Sequence, residues 1–343
     1  MAHTTVTLRK VPLPCHGCFY DCGTALLSDR SVMVVGMNER EIEHGDTHRH
    51  PCAIISLCTE GDTLTLQATP SPSPVNPLVY GCIVARVGPH VYAFGGFDDW
   101  SDVFVSELHR YTVDTDTWET VGGLDAKEVK ARINSGDSLE YSLHGNTWPV
   151  PRGGWEYECV GVGGLFMVSG GTDNDGAILH DTWVYDPSTA VWTEVDTGGT
   201  VSCPDEDQQY TLIGECECFG HIYRTFHLYE YCKAATSAAE PVEQGYVGVW
   251  TTTPTPISVT SAVVLTLPRT RILLDGKGTY HCLDTVSGEW SPGAAPVLEG
   301  AVSSRAFSEG SVCMFGGEWS MYGVCHTAAG TMLVTVSQEE DIV

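Results

Sequence analysis

One order of residues occurs twice in this chain and constrains what it can fold into: an apolar β run, a Gly-Gly pair, a polar loop, then a tyrosine and a tryptophan seven positions apart. In HVYAFGGFDDWSDVFVSELHRYTVDTDTWETV, residues 90–121, the pair is Gly95–Gly96 and the aromatics are Tyr111 and Trp118. In GGLFMVSGGTDNDGAILHDTWVYDPSTAVWTEV, residues 163–195, they are Gly170–Gly171, Tyr185 and Trp192. Glycine and proline stand where an antiparallel chain must turn, and the runs between them are rich in β-formers. A fixed order that recurs along a chain marks a repeat architecture.

Two further stretches carry part of the order. VCMFGGEW, Val312–Trp319, has the diglycine, and RILLDGKGTYHCLDTVSGEW, Arg271–Trp290, keeps the late tryptophan with Leu283 in the tyrosine position. Together these residues resemble the kelch repeat. The resemblance implies an all-β chain, a kelch-type β-propeller in which each repeat is one four-stranded blade. At about 50 residues per repeat, the 343 residues suggest six blades, with five and seven as the alternatives.

The expected layout is a single domain, 1–343, with blades near 15–69, 80–121, 151–195, 209–252, 258–290 and 301–336 plus 4–11. Residues 122–151 form a long connection with a weak helical pattern. The fourth blade is the least marked, with strands read at Tyr210–Phe219 and His221–Tyr231. An open ring leaves unpaired edges. The N-terminal run Thr4–Val11 is therefore expected to pair with Met332–Val336 and close the ring in a shared blade. The alternative is that Tyr322–His326 and Met332–Val336 complete that blade alone.

Charge narrows the partners. A net charge of −27 argues against nucleic acid and anionic membrane surfaces, which need clustered Lys and Arg. No apolar run approaches the 18 residues of a membrane span, and MAHTTVTLRKVPLP lacks the apolar core of a secretory signal. The 14 cysteines then read as reduced thiols in a cytoplasmic protein, expected to be a monomer.

Candidate chemistry is sparse. EIEHGDTHRH, Glu41–His50, brings together metal-type donors, among them His44, Asp46, His48 and His50. It is loosely similar to the iron site of kelch proteins that direct glucosinolate breakdown. Asp46 and His50 keep that four-residue spacing, but Ile42 stands where the glutamate belongs, so a polar loop is the default reading. Cys15, His16, Cys18 and Cys22 are zinc-type donors with no second Cys pair nearby. There is no Gly-x-Ser-x-Gly elbow and no phosphate-cradling loop. Kelch-like propellers include copper oxidases of galactose and sialic acid epimerases, but no motif of either matches here. No catalytic residue and no cofactor is assigned.

The kelch aromatics are expected to pack blades together, which leaves the loops to carry function. In this topology one face collects Asp98, Asp99 and Trp100, then Asp173, Asn174 and Asp175, then Glu318 and Trp319, with Arg152 and Trp155 at the entrance to the third blade. An acidic rim with exposed tryptophans suits a protein partner with a basic segment. The expected function is a protein-interaction module or scaffold. The competing reading is a metal-dependent or small-molecule enzyme with its site on the loop face.

Overall fold

Gly95–Gly96 follow one strand, Gly170–Gly171 lie near the end of another, and each Tyr–Trp pair spans a hairpin in the computed structural model. It describes residues 3–10, 23–28, 30–35, 52–60, 63–71, 79–98, 100–197, 208–219, 223–233, 243–252, 263–266, 270–274, 280–284, 289–293, 297–299, 312–316, 320–327 and 330–339. The chain divides into two units. One is built from both ends, Met1–Ser73 with Pro254–Val343, and the other from Pro74–Thr253.

In the terminal unit, β1 (His3–Lys10) is followed by an antiparallel sheet of β2 (Gly23–Ser28), β3 (Ser31–Val35), β4 (Cys52–Glu60) and β5 (Thr63–Pro70), in that order. The β3 sequence SVMVV is β-rich and apolar almost throughout, and four of its five residues are buried. A short unbroken apolar run of this kind is what a strand covered on both faces requires.

The central unit begins with β6 (Val79–Tyr80), β7 (Ile83–Val87), β8 (His90–Phe94), β9 (Phe97–Asp98), β10 (Val103–Phe104), β11 (Leu108–Thr112) and β12 (Thr117–Gly122). The connection that follows holds helix α1 (Ala126–Ser135) and the hairpin β13 (Tyr141–Leu143) and β14 (Asn146–Trp148). Next come β15 (Gly153–Val162), β16 (Leu165–Thr172), β17 (Thr182–Asp186) and β18 (Val191–Glu194). The unit ends with β19 (Gln208–Phe219), β20 (Tyr223–Lys233) and β21 (Glu243–Thr252).

Two of its sheets are four-stranded and antiparallel, β12-β11-β8-β7 and β15-β16-β17-β18. They share the same local solutions. Gly95 and Gly96 have φ of 66° and 102°, and Gly170 and Gly171 have 72° and 98°, a left-handed region that side chains with a Cβ enter at a cost. The seven-residue spacing is cross-strand pairing: Tyr111 lies opposite Trp118, and Tyr185 opposite Trp192. The ring centroids are 5.2 Å and 5.3 Å apart.

Alternation along β16 and β17 fills two different interfaces, as the two-residue period of a strand dictates. Phe166, Val168, Trp183 and Tyr185 point into a cluster with Tyr92, Phe94, Leu108, Trp148 and Trp192, which joins the two four-stranded sheets. Met167 and Val184 point the other way, into a cluster with Val162, Val195, Phe226 and Leu228 that packs on the next sheet. That sheet, β19-β20-β21, has three strands among the described residues where four were expected. Its outer strand accepts one more chain segment: Asp196 bridges Val247, with its N–H donating to Tyr246 O and its carbonyl accepting from Gly248 N.

The long connection is helical where its pattern was weak. Asp125 caps α1, its Oδ1 accepting from Glu128 N at 2.7 Å, and Gly136 at φ 73° ends it. An aspartate cap with glutamate three residues on is the sequence signature of a helix N-terminus, and here the Glu128 carboxylate pairs with Arg132 one turn on. Ala126 and Val129 then bury against Val103, Val105 and Leu124.

The terminal unit resumes with β22 (Val263–Thr266), β23 (Thr270–Leu274), β24 (Tyr280–Asp284) and β25 (Trp290–Pro292), a four-stranded antiparallel sheet. Leu283 lies opposite Trp290, the register of the Tyr–Trp pairs. Its last strands are β26 (Val297–Glu299), β27 (Val312–Gly316), β28 (Ser320–Thr327) and β29 (Gly330–Glu339). They form a sheet with the N-terminal strand, in the order β26-β1-β29-β28-β27. β1 pairs antiparallel with β29, from His3 opposite Glu339 to Lys10 opposite Met332.

Candidate functional site: the loop face of the central unit

The hairpin of β9 and β10 is only two residue pairs long, Val103 with Asp98 and Phe104 with Phe97. Its tip is organised by Asp98, whose Oδ1 accepts from Ser101 N at 2.7 Å and whose carbonyl accepts from Asp102 N at 2.8 Å. Asp98 is 2% exposed, so this carboxylate shapes the loop from inside rather than lining a rim. Trp100 projects from the tip and is 86% exposed. A tryptophan left in water forgoes the burial that usually decides its place.

A second loop, 172–178, is fixed by its own turn. The Asp173 Oδ1 accepts from Asp175 N at 2.9 Å and Ala177 N at 2.8 Å, and Thr172 bridges Ile178. Asn174 is then turned onto the first loop. Its Oδ1 accepts from Phe104 N at 2.8 Å and its Nδ2 donates to Phe104 O at 3.1 Å. Residues 175–178 of this loop are exposed, Ile178 at 55% and Asp175 as their one charged member.

Arg152 does not line the face. It is fully buried immediately before β15, where its guanidinium donates to both Asp181 oxygens, at 2.5 and 2.7 Å, and to Gly170 O and Val150 O. Burial alone raises the Asp181 carboxyl, but hydrogen bonds and charge from Arg152, helped by the Trp183 indole, bring it below its ordinary value. Asp98 and Arg152 are thus structural, for one physical reason. A polar group taken out of water needs fixed partners, and both have them.

Of the other expected residues, Asp99, Glu318 and Trp319 lie outside the described residues, as do His44, Asp46, His48 and His50. Trp155 is on β15, with its side chain outside the described set. Among the described residues no group of three or more His, Cys, Asp or Glu is placed to hold a metal ion. No helix there is long and apolar enough to cross a membrane.

A titratable pair below the hairpin went unread in the sequence. The Glu107 Oε2 lies 3.9 Å from His109 Nε2. Burial, and then the charges of Asp125 and Asp98, push the Glu107 carboxyl up to about 7. Burial alone lowers His109 to about 4. The signal available was alternation: residues 107 and 109 share one face of a strand start.

A family model described as the kelch motif matches residues 80–124 and 156–198. Both segments contain a diglycine and a Tyr–Trp pair. No curated protein matches the sequence. Among solved structures, the one titled "Structure of YjhT" is similar over 96% of this chain and 99% of that chain, with a TM-score of 0.50 and 12% sequence identity. The chain thus carries two kelch motifs in a mostly antiparallel, all-β architecture, the architecture of a kelch-type β-propeller.

Proposed function

We propose that the protein is a protein-interaction module whose recognition face is formed by the Trp100 hairpin and the 172–178 loop. The observation that carries this reading is Trp100, 86% exposed at the tip of a hairpin whose backbone is otherwise pinned. Rigid aromatic anchors of this kind are what hot spots are made from. Asp102 and Asp175 are exposed on the two loops, within a chain of net charge −27, which favours a partner segment bearing Lys or Arg.

In this reading the chain forms one six-bladed propeller, cytoplasmic and monomeric. Pairing of β1 with β29 supports closure through a blade shared by both ends. The test is capture of partners by wild type, Trp100→Ala and Asp175→Ala proteins of matched thermal stability. A partner held by wild type, lost by Trp100→Ala and weakened by Asp175→Ala and by added salt supports the face. Capture unaffected by Trp100→Ala overturns it.

A further inference from the structure

We infer that Asn174 is a positioning residue: its side-chain amide locks the 172–178 loop to the Trp100 hairpin, so that two loops 70 residues apart present one preformed surface. The functional meaning of this inference rests on the recognition face proposed above. The lock itself rests on geometry alone.

Three observations carry it. Firstly, both polar ends of the amide engage a single residue, accepting from Phe104 N and donating to Phe104 O. That is the exchange a neighbouring strand would make, and β10 is an edge strand of its sheet. Among the described residues no strand pairs with this edge, and Asn174 takes that place. Secondly, its aim is fixed, because Asp173 holds the turn on either side of it through Asp175 N and Ala177 N. Thirdly, Phe104 is itself immobilised. Its ring meets Phe97 edge-on at 5.1 Å, and it sits so close to Gly153 that a Cβ there would fall 2.7 Å from its Cδ1.

The consequence is preorganisation. A two-pair hairpin with an exposed tryptophan would otherwise sample many orientations, and a partner would have to order it on binding. Asn174 removes that cost before the partner arrives. Since Asn174 is half-buried and both its polar ends are engaged, it does so without needing to touch the partner.

The experiment uses the full chain with 5-fluorotryptophan at every Trp, the Trp100 fluorine resonance being assigned by its loss in Trp100→Phe. In Asn174→Ala and Asn174→Asp the Trp100 line is expected to move and change width while the remaining lines hold, with the thermal midpoint little changed. A Trp100 line identical to wild type in both variants overturns the inference, as does a shift of all lines together.

A second arm measures a fluorescein-labelled nona-arginine peptide by anisotropy. Loss of preorganisation is expected to weaken binding by about three- to tenfold in Asn174→Ala. Asn174→Asp separates positioning from charge. It adds a carboxylate to the face, so charge alone would tighten the cationic peptide, whereas loss of the donor to Phe104 O weakens it. Tighter binding by Asn174→Asp overturns the inference. If instead Trp100→Ala leaves peptide binding unchanged, or the peptide does not bind wild type, the recognition face falls. The fluorine spectra then judge the lock by themselves.

Discussion

Arg152 and Asp181 form a two-pronged ion pair, 2.5 and 2.7 Å at its two contacts, with the arginine wholly out of solvent. The same guanidinium reaches the carbonyl of Gly170, the first residue of a diglycine, so the pair holds the kelch turn in place. Breaking a buried pair by removing one partner costs about 3–5 kcal/mol, and Asp181 is a quarter exposed, so the low end is expected for Arg152→Ala. Arg152→Lys should recover only part of this, because an ammonium cannot match a planar fork. Urea denaturation of the three proteins checks the order wild type, Lys, Ala.

The two Tyr–Trp pairs have matching geometry but different surroundings. Trp192 is buried against Phe94, Trp148 and Phe166 at centroid distances of 5.2, 6.0 and 6.1 Å, whereas Trp118 is half-buried. Trp192→Ala is expected to cost about 3–5 kcal/mol, the range for a buried aromatic. Trp118→Ala should cost less than half as much. Equal losses in denaturant midpoint would contradict this.

Glu107 and His109 give opposite pH dependences. Between pH 4.5 and about 7 the native Glu107 keeps a proton that the unfolded chain has lost, so its contribution to stability falls as pH rises. Between about 4 and 6.5 the unfolded His109 holds a proton that the native ring lacks, so its contribution grows as pH rises. The two offset each other across their shared window. Relative to wild type, Glu107→Gln is therefore expected to gain stability with rising pH, and His109→Gln to lose it. Thermal midpoints from pH 4.5 to 7 provide the check.

Asp125 has two roles that one pair of variants separates. It caps α1 through Glu128 N, and its charge helps to raise Glu107. Asp125→Ala is expected to cost the helix about 1 kcal/mol, seen as faster amide exchange over Ala126–Ser135. Asp125→Asn should preserve the cap, since Asn caps as well as Asp. Both should move the Glu107 titration downward.

What could be read in the sequence was whatever the backbone demands locally. The diglycines were legible because φ near 70° and 100° is costly for other residues. The seven-residue spacing was legible because it is hairpin register, which Leu283 and Trp290 keep without the tyrosine. Strand β21 was harder to see. Gly248 dilutes its pattern, yet a Cβ there would fall 2.2 Å from the Phe226 ring, so the glycine marks close sheet packing rather than a break. Arg152 was read as a surface residue because its partner lies 29 positions away. The Asn174 contact spans 70 positions, and no local pattern announces it.

Pairing of β1 with β29 also has a timetable. A ribosome adds about 5–20 residues per second, so β1 waits roughly 16–65 s for a partner made about 320 residues later. Through that interval the edge of β1 that β29 takes up is open, and its other edge is open until β26 has been made. The terminal sheet is thus the last to be assembled. Chains released early from the ribosome are the ones that expose an adhesive edge to chaperones, proteases and each other.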